Sequence, residues 1–173
     1  MKRKLIIAFI TISFVFASWN LINPSFENSN KDKLLIEIVK YVLEKYHYNS
    51  IEINDEFSEK MFDAYIELLD SQKKYFLASD YKEFKKYRLK LDNQLIDYDL
   101  SFFNLTHERL MLRISEVENF YPSLLNDSFD FSVNEKINLD FDNLSFPKNN
   151  IERKDRWRKQ FKYTALDLSL IHI

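Results

Sequence analysis

Glycine is absent from all 173 residues of this chain, where average usage of about 7% would place roughly twelve. Backbone that must turn through positive φ, or lie close against a phosphate, normally uses glycine because every other residue carries a Cβ. Phosphate-cradling loops and dinucleotide fingerprints are therefore excluded. Two-residue hairpins built on Asn-Gly or Gly-X go with them, which argues against a β-sandwich or barrel and for helices. Hydrophobic residues at 46% and aromatic residues at 16% suffice for one compact core. The expected fold class is all-α: an irregular bundle of about five or six helices with an N-terminal signal or anchor helix.

Cysteine is also absent, which removes disulfides, thiolate chemistry and cysteine-based metal sites. The formal net charge is −2; without Lys2, Arg3 and Lys4 it is 22 basic against 27 acidic residues, or −5. Such a mildly acidic domain suits duplex nucleic acid poorly, and no nucleic-acid partner is expected.

Those three basic residues precede the apolar run Leu5 to Trp19, LIIAFITISFVFASW. A basic n-region followed by an apolar h-region is the order of a secretory signal. A cut after Ala17 places Val15 and Ala17 where small residues are wanted, although this is not the favoured A-x-A. The competing reading is an uncleaved anchor, since Leu21 and Ile22 prolong the run toward the roughly 20 residues of a spanning helix. Both readings put the remainder outside the cytoplasm, with a membrane partner only if the segment stays uncut. At the other end, Leu168-Ser169-Leu170-Ile171-His172-Ile173 is the translation of CTG TCT CTT ATA CAC ATC, a transposase end sequence used in sequencing libraries. Residues 168–173 are accordingly expected to be adapter, residues 1–19 signal or anchor, 20–32 linker and 33–167 a helical domain.

Within that domain, Lys33 to Tyr48 carries Leu34, Leu35, Ile38, Tyr41, Val42 and Tyr46 at helical spacing. Asn54 is placed to cap a second helix ending near Asp70, with Phe57, Met61, Tyr65, Leu68 and Leu69 as its buried stripe. Asp80 and Glu83 read as a capping box for a third helix bearing Phe84, Tyr87, Leu91 and Leu95. The triplet Tyr75-Phe76-Leu77 then falls in the connector between these two helices, where it would plug the end of the pair. A longer helix is expected from about Asp99 to Phe120, bearing Phe102, Phe103, Leu110, Ile114 and Val117 and ending before Pro122. Ser132 and Glu135 could open a short helix, Asp140 to Pro147 reads as loop, and Ile151 to Leu166 as a final helix.

Residues able to carry chemistry are sparse. His47 and His107 lack a ligand pattern such as H-E-x-x-H, so no metal and no cofactor is expected. Asp97 and Asp99 could be paired carboxylates, but beside a helix start capping is the better account. Arg153, Lys154, Arg156, Arg158, Lys159 and Lys162 around Trp157 superficially resemble a nucleic-acid stripe; a solvated helix face is the favoured reading. Sequons at Asn104, Asn126 and Asn143 arise readily by chance in an Asn-rich chain. No serine lies in a turn able to present a nucleophile with oxyanion donors. No catalytic residue is assigned.

The stretches HYNSIEINDEFSEKMFDAYIELLDSQKKYFLASDYKEFKKYRLKLDNQL, DLSFFNLTHERLMLRI, FDFSVNE and ERKDRWRKQFKY occur in an order that resembles the N-terminal region of the bacterial tail-specific proteases, periplasmic carboxyl-terminal processing serine peptidases. The most specific parts are Leu69-Asp70 leading into Tyr75-Phe76-Leu77 and Asp80, and Arg156-Trp157-Arg158-Lys159. Ser71 departs from the proline that usually follows Leu-Asp in the family. The resemblance covers about Lys31 to Asp167. It implies that the parent enzyme continues into a PDZ domain and a protease domain with a serine and lysine pair. This segment would be a noncatalytic scaffold that packs on those domains and helps to position protein substrates or adaptors. None of the catalytic elements matches a residue here. A free-standing exported helical protein-binding module is the alternative.

Overall fold

A computed structural model describes residues 29–45, 52–126 and 128–171. The apolar run Leu5 to Trp19 expected to be a signal or anchor, His47 and the terminal His172-Ile173 lie outside the described residues. Among those described there are six α-helices and no strand: α1 (Ser29–Lys45), α2 (Asp55–Asp70), α3 (Ala78–Phe84), α4 (Leu91–Asp97), α5 (Ser101–Asn126) and α6 (Asn150–Ile171), with a 3-10 turn at Lys85–Tyr87. The chain divides into two units, residues 1–39 and 40–173. In the first, the described residues belong to α1, which begins at Ser29 and so takes in the last part of the expected linker. Its Leu34, Leu35 and Ile38 are exposed. All that follows concerns the second unit.

Asn54 starts α2 as its sequence suggests: the extended Asn54 accepts the Phe57 N–H at 3.0 Å, and Asp55 and Glu56 sit in the first turn, where negative charge is favoured. The buried face is different from the expected one. Ser58, Phe62, Ile66 and Asp70 point inward, while Met61 is exposed and Leu68 is 81% exposed. Tyr65 and Leu69 pack at the edge of the core. The stripe is displaced because two polar residues are needed inside. The Ser58 hydroxyl donates to the Arg88 carbonyl and accepts the Leu91 N–H, both at 2.8 Å, and so secures the start of α4.

The third expected helix is divided among α3, the 3-10 turn and α4. Phe84, Leu91 and Leu95 are nevertheless buried, and Tyr87 packs against the core. Asp80 is not the N-cap. Leu77 holds that position, and Asp80 lies inside α3 with its carboxylate accepting the Leu77 N–H at 2.8 Å. Helix α4 stops at Tyr98, whose φ is 57°, while the Asp99 N–H reaches back to the Gln94 carbonyl at 2.8 Å. That is the six-to-one bond of a Schellman ending, whose left-handed position normally takes glycine. In a glycine-free chain, Tyr98 and Lys73 (φ 49°) fill such positions.

Pro122 lies inside α5 rather than beyond its end. Proline deprives the Glu118 carbonyl of its helical donor, yet Phe120 and Leu124 pack with Val117 and Trp157, and that packing carries the helix onward to Asn126. The segment around Ser132 and Glu135 is not helical; Asp130 instead accepts the Ser132 N–H and hydroxyl. Residues 140–147 are irregular as expected, and Phe146 and Pro147 are buried there. Asn149 caps α6 by accepting the Ile151 and Glu152 N–H groups at 3.0 Å.

Phe102 is the hub of the main core, with the rings of Tyr87, Phe62, Tyr65 and Phe84 at 5.4, 5.5, 5.8 and 6.3 Å. Phe76, fully buried, meets Phe84 edge-on at 5.1 Å. Val117, Phe120 and Trp157 form a second cluster, onto which Tyr75 and Phe161 pack.

Two outcomes follow for urea unfolding. Phe76→Ala should cost about 3–5 kcal/mol through lost burial and the cavity left behind; a change within experimental noise would contradict the plug. Tyr98→Gly should stabilise by about 0.5–1 kcal/mol, because relief of the left-handed Cβ clash exceeds the extra chain entropy of glycine. A loss of stability would show that the Tyr98 side chain contributes more than its backbone costs.

Candidate functional site

The connector Ser71–Leu77 buries Phe76 and Leu77 and packs the half-buried Tyr75 against the second cluster, and their peptide groups go with them. A buried N–H or C=O without a partner costs about 1–3 kcal/mol, so such a segment can be buried only if its backbone is served. Asp70, at the end of α2 and 4% exposed, does this for the amides. Its Oδ1 accepts the Lys74 N–H at 2.8 Å, and its Oδ2 accepts those of Tyr75 and Phe76 at 2.9 and 2.8 Å. Asp80 takes the next amide, Leu77, and the Pro147 carbonyl takes that of Ala78 at 2.8 Å.

Helix α6 serves the carbonyls. Arg156 donates to Lys73, the Trp157 indole N–H to Lys74 at 2.9 Å and Arg153 to Tyr75 at 3.0 Å. Three consecutive carbonyls are thus met by three side chains on one face of α6. Trp157 adds packing, with the Tyr75 ring edge-on at 5.4 Å and the Lys74 ammonium 4.7 Å from its own ring. Arg156 also reaches the Ser145 carbonyl, joining the 140–147 loop to the same connector.

A chain of charges backs the connector. Asp80, with no exposed surface, accepts from Arg109 at 2.5 Å and in bidentate fashion from Arg113 at 2.8 Å. Arg109 continues to Glu83, and Arg113 to Glu116, which also receives Arg153. Three carboxylates and three guanidiniums therefore compensate one another between α3, α5 and α6. Burial works against ionisation of Asp80, but Arg113, the Leu77 amide and Arg109 outweigh it and hold the carboxyl below its usual value. Glu116 is shifted the same way, with burial again outweighed by Arg153 and Arg113. Asp70 goes the other way: burial raises it, and its three amides offset this only in part. Both oxygens of Asp70 and Asp80 are occupied by bonds within the fold, and these two carboxylates organise the connector backbone and the arginines behind it.

The residues singled out in the sequence converge here with one exception. Asp70, Tyr75, Phe76, Leu77, Asp80, Arg156 and Trp157 form the clamp, and Leu69 packs on the adjoining core. Arg158 faces elsewhere, donating to Glu135 at 3.1 and 2.6 Å and to Asp155. The solvated-face reading of the basic run needs correction: Arg153 is 1% exposed, and Arg156 and Arg158 are engaged, whereas Lys154 is exposed. Arg109, Arg113 and Glu116 escaped notice in the sequence. Their signal was a pair of arginines one helical turn apart on α5, both facing Asp80.

Asp99 caps the start of α5 through the Ser101 N–H at 2.9 Å, and Asp97 is exposed. His107 is exposed and stacks on Phe103 at 6.0 Å. Asn104, Asn126 and Asn143 are all exposed. Among the described residues no group of three or more histidine, aspartate or glutamate side chains is placed to hold a metal ion, and no helix is long and apolar enough to cross a membrane.

Residues 38–172 match the family described as the tail-specific protease N-terminal domain, a match that reaches into the terminal hexapeptide. A tail-specific protease of Haemophilus influenzae is 34% identical over 125 residues, covering 72% of this chain and 18% of that protein. The chain thus spans less than a fifth of the length of that relative.

Trp157→Phe keeps an aromatic ring but leaves the Lys74 carbonyl without its donor, so about 1–3 kcal/mol should be lost. Thr164→Ser, at an exposed position of α6, should stay within about 0.5 kcal/mol; equal effects in denaturant titrations would refute the role given to the indole N–H. Glu135, held by Arg158 and Lys162, titrates at about 2 instead of its ordinary 4.5. A depressed carboxyl contributes stability above its unfolded value that is lost as pH falls through the folded one. Glu135→Gln should therefore lower the melting temperature at pH 6 and flatten its decline between 4.5 and about 2. An unchanged acid limb would contradict the pairing.

Proposed function

The chain belongs to the tail-specific protease N-terminal domain family, and from that premise we propose that it is the noncatalytic helical scaffold of an exported, periplasmic protease. The observation that carries this reading is the clamp itself. Its conspicuous charged residues are committed to the connector backbone and to one another, leaving a rigid support rather than a reacting centre. The export role rests on Lys2-Arg3-Lys4 and the apolar run after it. In this reading a PDZ domain and a protease domain with a serine and lysine pair follow Asp167. There a neutral lysine takes the serine proton while backbone N–H groups stabilise the oxyanion. The scaffold packs on those domains and helps to present protein substrates or adaptors.

Exposed large side chains are available for such packing, among them Met111, Leu112, Tyr121 and Leu125 on α5 and Leu166 on α6. The alternative, a free-standing exported binding module, would use the same residues for an outside partner.

A long sequencing read across the codon for Asp167 separates the two. A frame that runs on into a PDZ domain and a serine and lysine pair supports the scaffold; a stop codon after Ile173 supports the module. The 173-residue chain alone should not hydrolyse an unfolded casein substrate, and hydrolysis that survives rigorous purification would refute the noncatalytic role.

A further inference from the structure

A groove of about 500 Å³ runs between the C-terminal half of α2, the start of α3 and the 140–147 loop. That size falls within the roughly 300–1,000 Å³ of ligand clefts. Its floor is Ile66 with Tyr81 and Phe146, whose rings stack at 4.9 Å and 27° to form a flat aromatic wall. Its rim carries Asp63, Glu67 and Asp142. Asp63 is paired with Arg88, but the carboxylates of Glu67 and Asp142 enter no ion pair among the described residues. The rim's one cation, Lys73, donates to the Asp142 main-chain carbonyl at 2.9 Å and stands 6.0 Å from the Phe146 ring, so two unpaired carboxylates face one ammonium and the rim keeps a net negative charge.

We infer that this groove docks an extended segment of a partner protein in which arginine or lysine alternates with apolar side chains. Acidic carboxylates above an aromatic wall match the two halves of such a side chain. The alkyl stem lies on the wall beside Tyr81, clear of the Lys73 ammonium over Phe146, and the cationic head meets Glu67 and Asp142. An acidic segment is repelled by the rim, and a purely apolar one leaves its charges uncompensated. The groove adjoins the clamp, since Asp70, Lys73 and Ala78 border both. The inference holds whether the chain is a protease scaffold or a free-standing module.

The test uses the full chain and two fluorescein-labelled nonapeptides, one alternating arginine with leucine and the other glutamate with leucine. Anisotropy should show saturable binding of the basic peptide only. Glu67→Lys combined with Asp142→Lys should weaken it by about tenfold or more, since attraction becomes repulsion. Glu118→Lys, on the exposed part of α5, should leave it unchanged. Circular dichroism establishes that each variant is folded. Absence of saturable binding, equal binding of the acidic peptide, or an equal loss with Glu118→Lys would overturn the inference. Self-association of the chain that the double reversal abolishes would also overturn it, because the occupant would then be a second copy.

Discussion

Burying a loop means burying its peptide groups, and the fold of residues 52–171 is organised around meeting that requirement at one place. Phe76 and Leu77 can enter the interior, with Tyr75 half-buried beside them, because Asp70 and Asp80 accept four successive amides while Arg156, Trp157 and Arg153 donate to three successive carbonyls. The cost of a single unserved group is a sizeable part of the roughly 5–15 kcal/mol by which domains are stable. The connector, α2 and α6 are accordingly interdependent. The Arg–carboxylate chain through Asp80 extends that dependence to α3 and α5, since removing one partner of a buried pair leaves an uncompensated charge.

The same requirement explains what the sequence disclosed and what it concealed. The Asn54 cap was legible because it is local: a side chain and an amide three residues apart. The triplet at 75–77 was conspicuous for the same reason, as three adjacent apolar residues between charged runs. Partners distant in sequence were not legible. Trp157 and Lys74 are 83 residues apart, and Arg153 and Tyr75 are 78 apart, so the arginines of α6 looked like any solvated basic face. The apolar count on α2 misled by one position because Ser58 and Asp70 do polar work on the buried side. Pro122 misled because packing on Trp157 prevails over a local preference to stop.

The absence of glycine, which pointed to helices, leaves a visible mark on the structure. Lys73 and Tyr98 adopt left-handed backbone that glycine would adopt without steric cost. Lys73 does so within the connector, where its carbonyl accepts from Arg156 and its ammonium reaches the 140–147 loop. The side chain glycine lacks is thus in use there. Membership of the tail-specific protease N-terminal domain family places this arrangement in a known setting; the physical reading adds why the Leu-Asp to Tyr-Phe-Leu stretch and the Arg-Trp pair belong together.

Hydrogen–deuterium exchange at the amides of residues 74–77, read by NMR on the folded chain, tests this most directly. If Asp70, Asp80 and the α6 side chains hold the connector as described, those four amides exchange only through global unfolding, with protection equal to that of the Phe62 and Phe102 amides in α2 and α5. Exchange at the rate of an open surface loop, while α2 and α5 remain protected, would contradict the clamp and with it the dependence of the fold on this connector.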